Sequence, residues 1–301
     1  MSHLPTLKQL KYLCAVETYQ HFGKAAISCF VSQSTLSAGI MELEEKLGVT
    51  LVERTSRSVR LTPIGRDIFQ RSRVILAATD DLVVAAKAGS EPFSTEMRLG
   101  VIPTIAPFVL PQILKSVRKS YPDFTLFIRE DLSHDLLSGL RAGRLDVLLL
   151  ALPYPAEEVA VSHLFNDELV LVFDKRNSLS KLKKLKVKDL MGKNILLLED
   201  GHCLRDHSVS ACKIGAEQAN LPFQATSLNT IVQMVASDIG ISILPKMAVD
   251  AKILQGTSVL SRQFDEPEVQ RSIGLMWRKN SPRQEEFEAL GRLICKSLNK
   301  C

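Results

Sequence analysis

Two cysteines, Cys203 and Cys212, mark the densest run of chemistry-bearing side chains in this 301-residue chain. They lie in LEDGHCLRDHSVSAC, residues 198–212, which leaves an apolar strand through the turn Glu199-Asp200-Gly201-His202. That order places Cys203 at or near the N-terminus of a helix, with Arg205 two residues on. A helix N-terminus and a cationic neighbour favour thiolate over thiol, and the thiolate is the form that attacks peroxides. Glu199, Asp200 and Asp206 act in the opposite sense, so the expectation is a reactive Cys203 without a stated pKa. Spacing alone equally allows two reduced thiols packed as small hydrophobes. A metal sensor built on His202, Cys203, His207 and Cys212 has little support, because that set lacks compact ligand spacing.

The elements that must hold this segment follow from apolar periodicity. Beyond residue 95 the pattern alternates as strand 98–102, helix 108–120, strand 125–129, helix 135–142 and strand 146–151, a βαβ order. A second series has strands near 169–173, 195–198 and 241–244, with helices around 209–219 and 230–236. A strand at 272–276 and a helix over 282–298 return to the first series. Two α/β lobes with a crevice between them fit this order. The longest apolar stretches, such as 147–152, are too short to span a bilayer, and the N-terminus carries no apolar leader, so a soluble cytoplasmic protein without a membrane role is expected. Six cysteines without a repeated CxxC argue against a static disulfide scaffold. No P-loop, GxGxxG fingerprint or hydrolytic triad is found, which removes support for nucleotide binding and for a hydrolase.

The first ninety residues hold 11 Lys and Arg against 8 Asp and Glu, a mild excess suited to a polyanion. Helices are expected over 7–17 and 24–28. A third helix is capped by Ser32 and ended by Gly48, with Leu36, Ile40, Leu43 and Leu47 facing the core. The same geometry turns Gln33, Ser34, Thr35 and Ser37 outward, where a recognition helix presents short polar groups to base edges. Arg54, Arg57 and Arg60 suit a wing touching phosphates. From spacing alone, a small helical bundle with a solvated Ser and Thr face serves as well. Thr62-Pro63 then starts a long amphipathic helix whose seam of Leu61, Ile64, Ile68, Ile75, Ala78, Leu82 and Ala85 wants a partner helix or a face of its own domain.

The stretch AAISCFVSQSTLSAGIMELEEKLGVTLVERTSRSVRLTPIG, residues 25–65, resembles the DNA-binding signature of LysR-type transcriptional regulators. Ser34 stands where that family often has proline. The resemblance implies a winged helix-turn-helix over 1–62, a dimer-forming linker helix over 63–90, and a two-lobed sensing domain over 91–301 that is similar to periplasmic binding proteins. LEDGHCLRD followed by a second cysteine is similar to the hydrogen-peroxide-sensing OxyR subfamily. That similarity implies a peroxidatic Cys203 and a resolving Cys212, with His202, Arg205 and Asp206 around them and no cofactor. IPTIAPFVLP implies Thr104 as a peroxide-binding hydroxyl, and REDLSHDLL places Ser133 where the subfamily usually has threonine. Further implications are an operator in double-stranded DNA, RNA polymerase as partner, reduction by a dithiol such as glutaredoxin or thioredoxin, and a homodimer or homotetramer. The nearest alternative is a LysR-type regulator that binds a small-molecule inducer between its lobes. A thiol peroxidase leaves the N-terminal unit without a use.

Overall fold

The computed structural model describes residues 4–54, 59–86, 92–213, 215 and 225–300. The chain divides into two compact units, Met1–Gly89 with Arg141–Arg144, and Ser90–Leu140 with Leu145–Cys301. Among the described residues no helix is long and apolar enough to cross a membrane.

The N-terminal unit begins with three helices, α1 (Leu7–Tyr19), α2 (Phe22–Ser28) and α3 (Gln33–Leu47). Each starts on a side-chain cap, which satisfies amide groups that a helix N-terminus otherwise leaves open. Thr6 and Gln9 form a capping box on α1, His21 Nδ1 accepts from Gly23 and Lys24 on α2, and Ser32 accepts from Thr35 on α3. Gly48, with φ of 67°, closes α3 in the left-handed region that favours glycine. Leu13, Leu36, Ile40 and Leu43 are completely buried at the centre of this unit, and Leu47 is half-buried at its edge. A short antiparallel hairpin of β1 (Val52–Arg54) and β2 (Val59–Leu61) forms the wing. The long helix α4 (Pro63–Ala86) follows; Thr62 Oγ1 accepts from the Gly65 amide at its start. In the single chain Ile64, Val74, Ile75, Leu82 and Val83 of α4 are exposed.

The second unit holds β3 (Met97–Val101), α5 (Ala106–Ser120), β4 (Leu126–Glu130), α6 (Ser133–Arg141), β5 (Val147–Leu152) and β6 (Val159–Asp174). After these come β7 (Ile195–Leu196), α7 (Cys203–Ala211), α8 (Leu228–Ala236), β8 (Ile241–Pro245), α9 (Lys246–Asp250), β9 (Val259–Gln263), β10 (Gln270–Arg278) and α10 (Gln284–Ser297). The first lobe carries the order β4-β3-β5-β10, with β3 parallel to both neighbours and β10 antiparallel to β5. The second lobe groups β8, β7 and β9 around the C-terminal half of β6. The two lobes have separate cores, one around Leu99, Leu136, Leu148, Ile273 and Phe287, the other around Leu171, Leu196, Ile231, Ile243 and Leu244. β6 joins them: its first half pairs with β10 and its second half with β8 and β9.

Two strands depart from the sequence reading. Strand β6 starts ten residues earlier than the apolar run at 169–173, because residues such as His163, Asn166 and Glu168 interrupt apolar alternation while the backbone still pairs with β10. Strand β9 is largely exposed and carries too little apolar signal to be recognised. The helix expected at 209–219 instead begins at Cys203 and ends at Ala211, and residues 216–224 lie outside the described residues.

Candidate functional site

Gly201, with φ of 98°, turns the chain that follows β7 so that His202 becomes the N-cap and Cys203 the first residue of α7. Cys203 is buried with the first-lobe core and Cys212, which caps the other end of α7, with the second-lobe core. One short helix therefore inserts its two ends into two different cores. Both thiols are free. A continuous helix from residue 203 to 212 separates the Cα atoms by roughly 13 Å, and a disulfide needs about 4.4–6.8 Å.

The cation facing Cys203 is Arg271, which the sequence reading missed. Arg271 and Asp167 are register partners on β10 and β6, and Arg271 Nε lies 3.1 Å from Asp167 Oδ2. Its Nη1 donates to Thr104 Oγ1 at 2.9 Å and its Nη2 to the Thr104 carbonyl at 3.0 Å. Asp167 Oδ1 in turn accepts from the Met247 amide at 3.1 Å. All these side chains are buried, so the guanidinium is locked by bonds on nearly every side. Burial pushes the Cys203 thiol pKa up, while the Arg271 charge, the Ser133 hydroxyl and the Ala151 backbone pull it down and Asp206 adds a smaller push upward. Burial also raises the Asp167 carboxyl, against the pull of Arg271.

Arg205 turns its guanidinium towards the turn that precedes α7. Its Nε pairs with Asp200 Oδ1 at 3.0 Å and its Nη1 donates to the Leu198 carbonyl at 3.3 Å. Residues two apart on a helix point to different sides, which is why proximity in sequence misled here. Thr104, Ser133, His202 and Cys203 do come together, lining one tight cleft with Ile102, Pro103, Leu132 and Gly201. Ser133 Oγ is buried beside the Cys203 thiol. Burial pushes the His202 imidazole pKa down against the pull of Glu199. His207, on the next turn, is pushed down by burial and then by Arg271, and its buried Nδ1 has no hydrogen-bond partner. Cys212 is pushed up to about 12 by burial and by Glu266, so it is held as a thiol. Among the described residues no group of three His, Cys, Asp or Glu is arranged to hold a metal ion.

The signal for Arg271 was present but faint: an arginine directly before an apolar strand, with Asp167 two residues before another. Only the register of β10 on β6, across 104 residues, brings the two together.

In the N-terminal unit Gln33, Ser34 and Thr35 are exposed on the first turn of α3, and Ser37 is half-buried. Ser34 Oγ lies 2.8 Å from Ser32 Oγ, so a hydroxyl bond braces the first turn of α3. Arg60 is exposed on β2, Arg54 ends β1, and Arg57 lies outside the described residues.

Residues 7–66 match the bacterial regulatory helix-turn-helix model of the LysR family, and residues 90–298 match the LysR substrate-binding domain. The chain is 41% identical over 290 residues to the HTH-type transcriptional regulator EstR of Acinetobacter baylyi, covering 96% of each. It is 39% identical to a probable hydrogen peroxide-inducible genes activator of Streptomyces viridosporus, over 96% of this chain and 93% of that one. A full-length OxyR cysteine variant from Pseudomonas aeruginosa superimposes with a TM-score of 0.80 at 32% identity, covering 98% of this chain and 96% of that one. With both halves of the family architecture matched along nearly its whole length, the chain belongs to the LysR family of bacterial transcriptional regulators.

Proposed function

We propose that this LysR-family protein is a cytoplasmic peroxide-sensing transcription regulator, with Cys203 as the sensing nucleophile. The observation that carries the reading is a buried thiol at the first residue of α7, beside a fixed arginine and clustered with the hydroxyls of Thr104 and Ser133. Thr104 Oγ1 already accepts from Arg271, so its own hydrogen is free to donate to a peroxide oxygen. Ser133 offers a second hydroxyl from α6.

The Cys203 thiolate attacks one peroxide oxygen, the O–O bond breaks, and the leaving hydroxide is protonated to water, giving a sulfenic acid at Cys203. Cys212 then attacks that sulfur and displaces a second water, forming the Cys203–Cys212 disulfide. A dithiol reductant of the glutaredoxin or thioredoxin class resets it with two electrons. The separation of the two Cα atoms requires α7 to unwind, which converts oxidation into a change of shape. Gln33, Ser34, Thr35 and Ser37 read the operator, Arg54, Arg57 and Arg60 hold its phosphates, and the exposed apolar side chains of α4 pair copies of the chain into a homodimer or tetramer that engages RNA polymerase.

Mass spectrometry after brief exposure to hydrogen peroxide tests the reading: a Cys203–Cys212 disulfide forms in the wild type, and Cys203→Ser abolishes both oxidation and the change in DNA binding. A second reading is favoured by the 41% identity to EstR, whose name mentions no peroxide. In it a small-molecule inducer binds between the two lobes and the thiols are idle. Thiol counting during peroxide titration separates the two, because idle buried thiols stay reduced.

A further inference from the structure

Residues 174–194 carry eight Lys and Arg against two Asp, an excess of +6 that exceeds the +5 of the entire chain. Lys175, Lys181, Lys183, Lys186 and Lys188 are all exposed. The two ion pairs of this stretch use Arg176, with Asp174 at 2.6 Å, and Lys184, with Asp265 at 3.1 Å. Among the described residues the other lysines of the stretch have no ion pair. Such a run is usually a solvated tail, but this one is built into the second lobe. Leu179, Leu185 and Leu190 are buried beneath it. Arg262 donates to the carbonyls of Leu179, Ser180 and Leu182. Asp189 accepts from the Lys186 amide at 2.8 Å and Glu266 from the Val187 amide at 3.2 Å. A fixed scaffold holding like charges together opposes folding through their repulsion, and a bound polyanion relieves it.

We propose that this lysine ridge is a second DNA contact, binding the phosphate backbone of duplex outside the sequence read by α3. The composition favours a phosphate backbone over a protein partner. Protein interfaces concentrate Arg and aromatic side chains and are depleted of Lys, whereas this ridge is mainly lysine, its one arginine is already bound to Asp174, and Met191 is its only large exposed hydrophobic. Lysines act as point charges without bidentate geometry, so the contact reads charge and not sequence.

The test uses the full-length chain, a 60-base-pair duplex of random sequence as probe, and the variant carrying Lys181→Gln, Lys183→Gln, Lys186→Gln and Lys188→Gln. These side chains are exposed, and a far-ultraviolet circular dichroism spectrum equal to that of the wild type verifies the fold. Four phosphate contacts contribute a salt slope of about 3.6, so between 50 and 200 mM salt wild-type affinity falls on the order of 100-fold more than that of the variant. Equal affinity and equal slope in the two proteins overturn the proposal. So does unchanged DNA binding accompanied by loss of transcription activation in vitro, which assigns the ridge to an acidic protein surface instead.

Discussion

Replacing Arg271 by Met tests whether the buried guanidinium is a structural counter-ion for Asp167, an electrostatic partner for Cys203, or both. Methionine fills much of the same volume but leaves Asp167 with one amide donor, from Met247, and no cation. Breaking a buried pair by removing one partner costs about 3–5 kcal/mol, chiefly from the charge left behind. Burial already raises the Asp167 carboxyl pKa and Arg271 is the largest opposing influence, so the variant raises it further. A folded state that holds this proton more tightly than the unfolded chain loses stability as pH rises, from the ordinary carboxylate value near ~3.9 up through the raised folded value. The penalty is therefore full above that folded value and fades on acidification. Urea unfolding from pH 5 to pH 8 measures it, and the double variant Arg271→Met/Asp167→Asn recovers most of the loss. Alkylation of Cys203 by iodoacetamide supplies the electrostatic readout: the double variant, though refolded, reacts more slowly at pH 7 because the thiolate has lost its cation. A pH-independent penalty would refute the assignment to Asp167, and wild-type alkylation in the double variant would remove Arg271 from the chemistry of Cys203.

Four further outcomes are expected. Gln33→Ala or Thr35→Ala weakens specific operator binding in a gel-shift assay without altering the melt, whereas Arg60→Ala weakens binding to all duplexes and lowers the salt slope by about 0.9 per chain. Thr104→Val takes away an acceptor of Arg271 and a pocket hydroxyl, so stopped-flow oxidation of Cys203 slows while DNA binding by the reduced protein is spared. Cys212→Ser still oxidises at Cys203 but forms no internal disulfide, and mass spectrometry finds sulfenic acid passing to sulfinic acid under excess peroxide. Ser208→Ala removes a buried hydroxyl that has no hydrogen-bond partner, stabilising reduced α7 by about 1–3 kcal/mol and slowing disulfide formation; an unchanged melting temperature counts against that account.

Local patterns made most of the elements legible in the sequence. Ser32 and Gly48 delimit α3 through a cap and a left-handed residue, both properties of a few adjacent positions. The apolar strands at 147–152 and 241–245 stand out because both faces are covered, so nearly every residue is apolar. Strand β6 escaped because its first half pairs on the lobe boundary with polar residues among its ladder positions. The pocket was legible as far as Thr104, Ser133, His202 and Cys203, each within a recognisable local motif. Arg271 was not, because its role depends on strand register and not on any neighbour in sequence. Arg205 shows the complementary limit: it is near Cys203 along the chain, and its Nε pairs with Asp200.

The same distinction between local and long-range interactions explains how α7 can be stable and still poised to rearrange. Its ends are held by packing in two separate cores, while between them His207 Nδ1 and Ser208 Oγ are buried without partners. Each unpaired polar atom costs about 1–3 kcal/mol, a cost the reduced fold carries and an unwound segment sheds to water. Cys212 opposes this rearrangement, because its burial stabilises the helix end and keeps its thiol protonated. The balance then rests on Cys203: as a thiol it packs with the first-lobe core, but as a sulfenic acid it places a polar oxygen beside Ile102 and Leu132 in a tight pocket. Burying that added polar group without a full set of partners costs free energy, and leaving the pocket to meet Cys212 removes the cost. On the proposed mechanism, oxidation raises the free energy of the helical arrangement at one end while the orphaned atoms have already weakened its middle, and a Cys203–Cys212 disulfide would capture the segment once it unwinds.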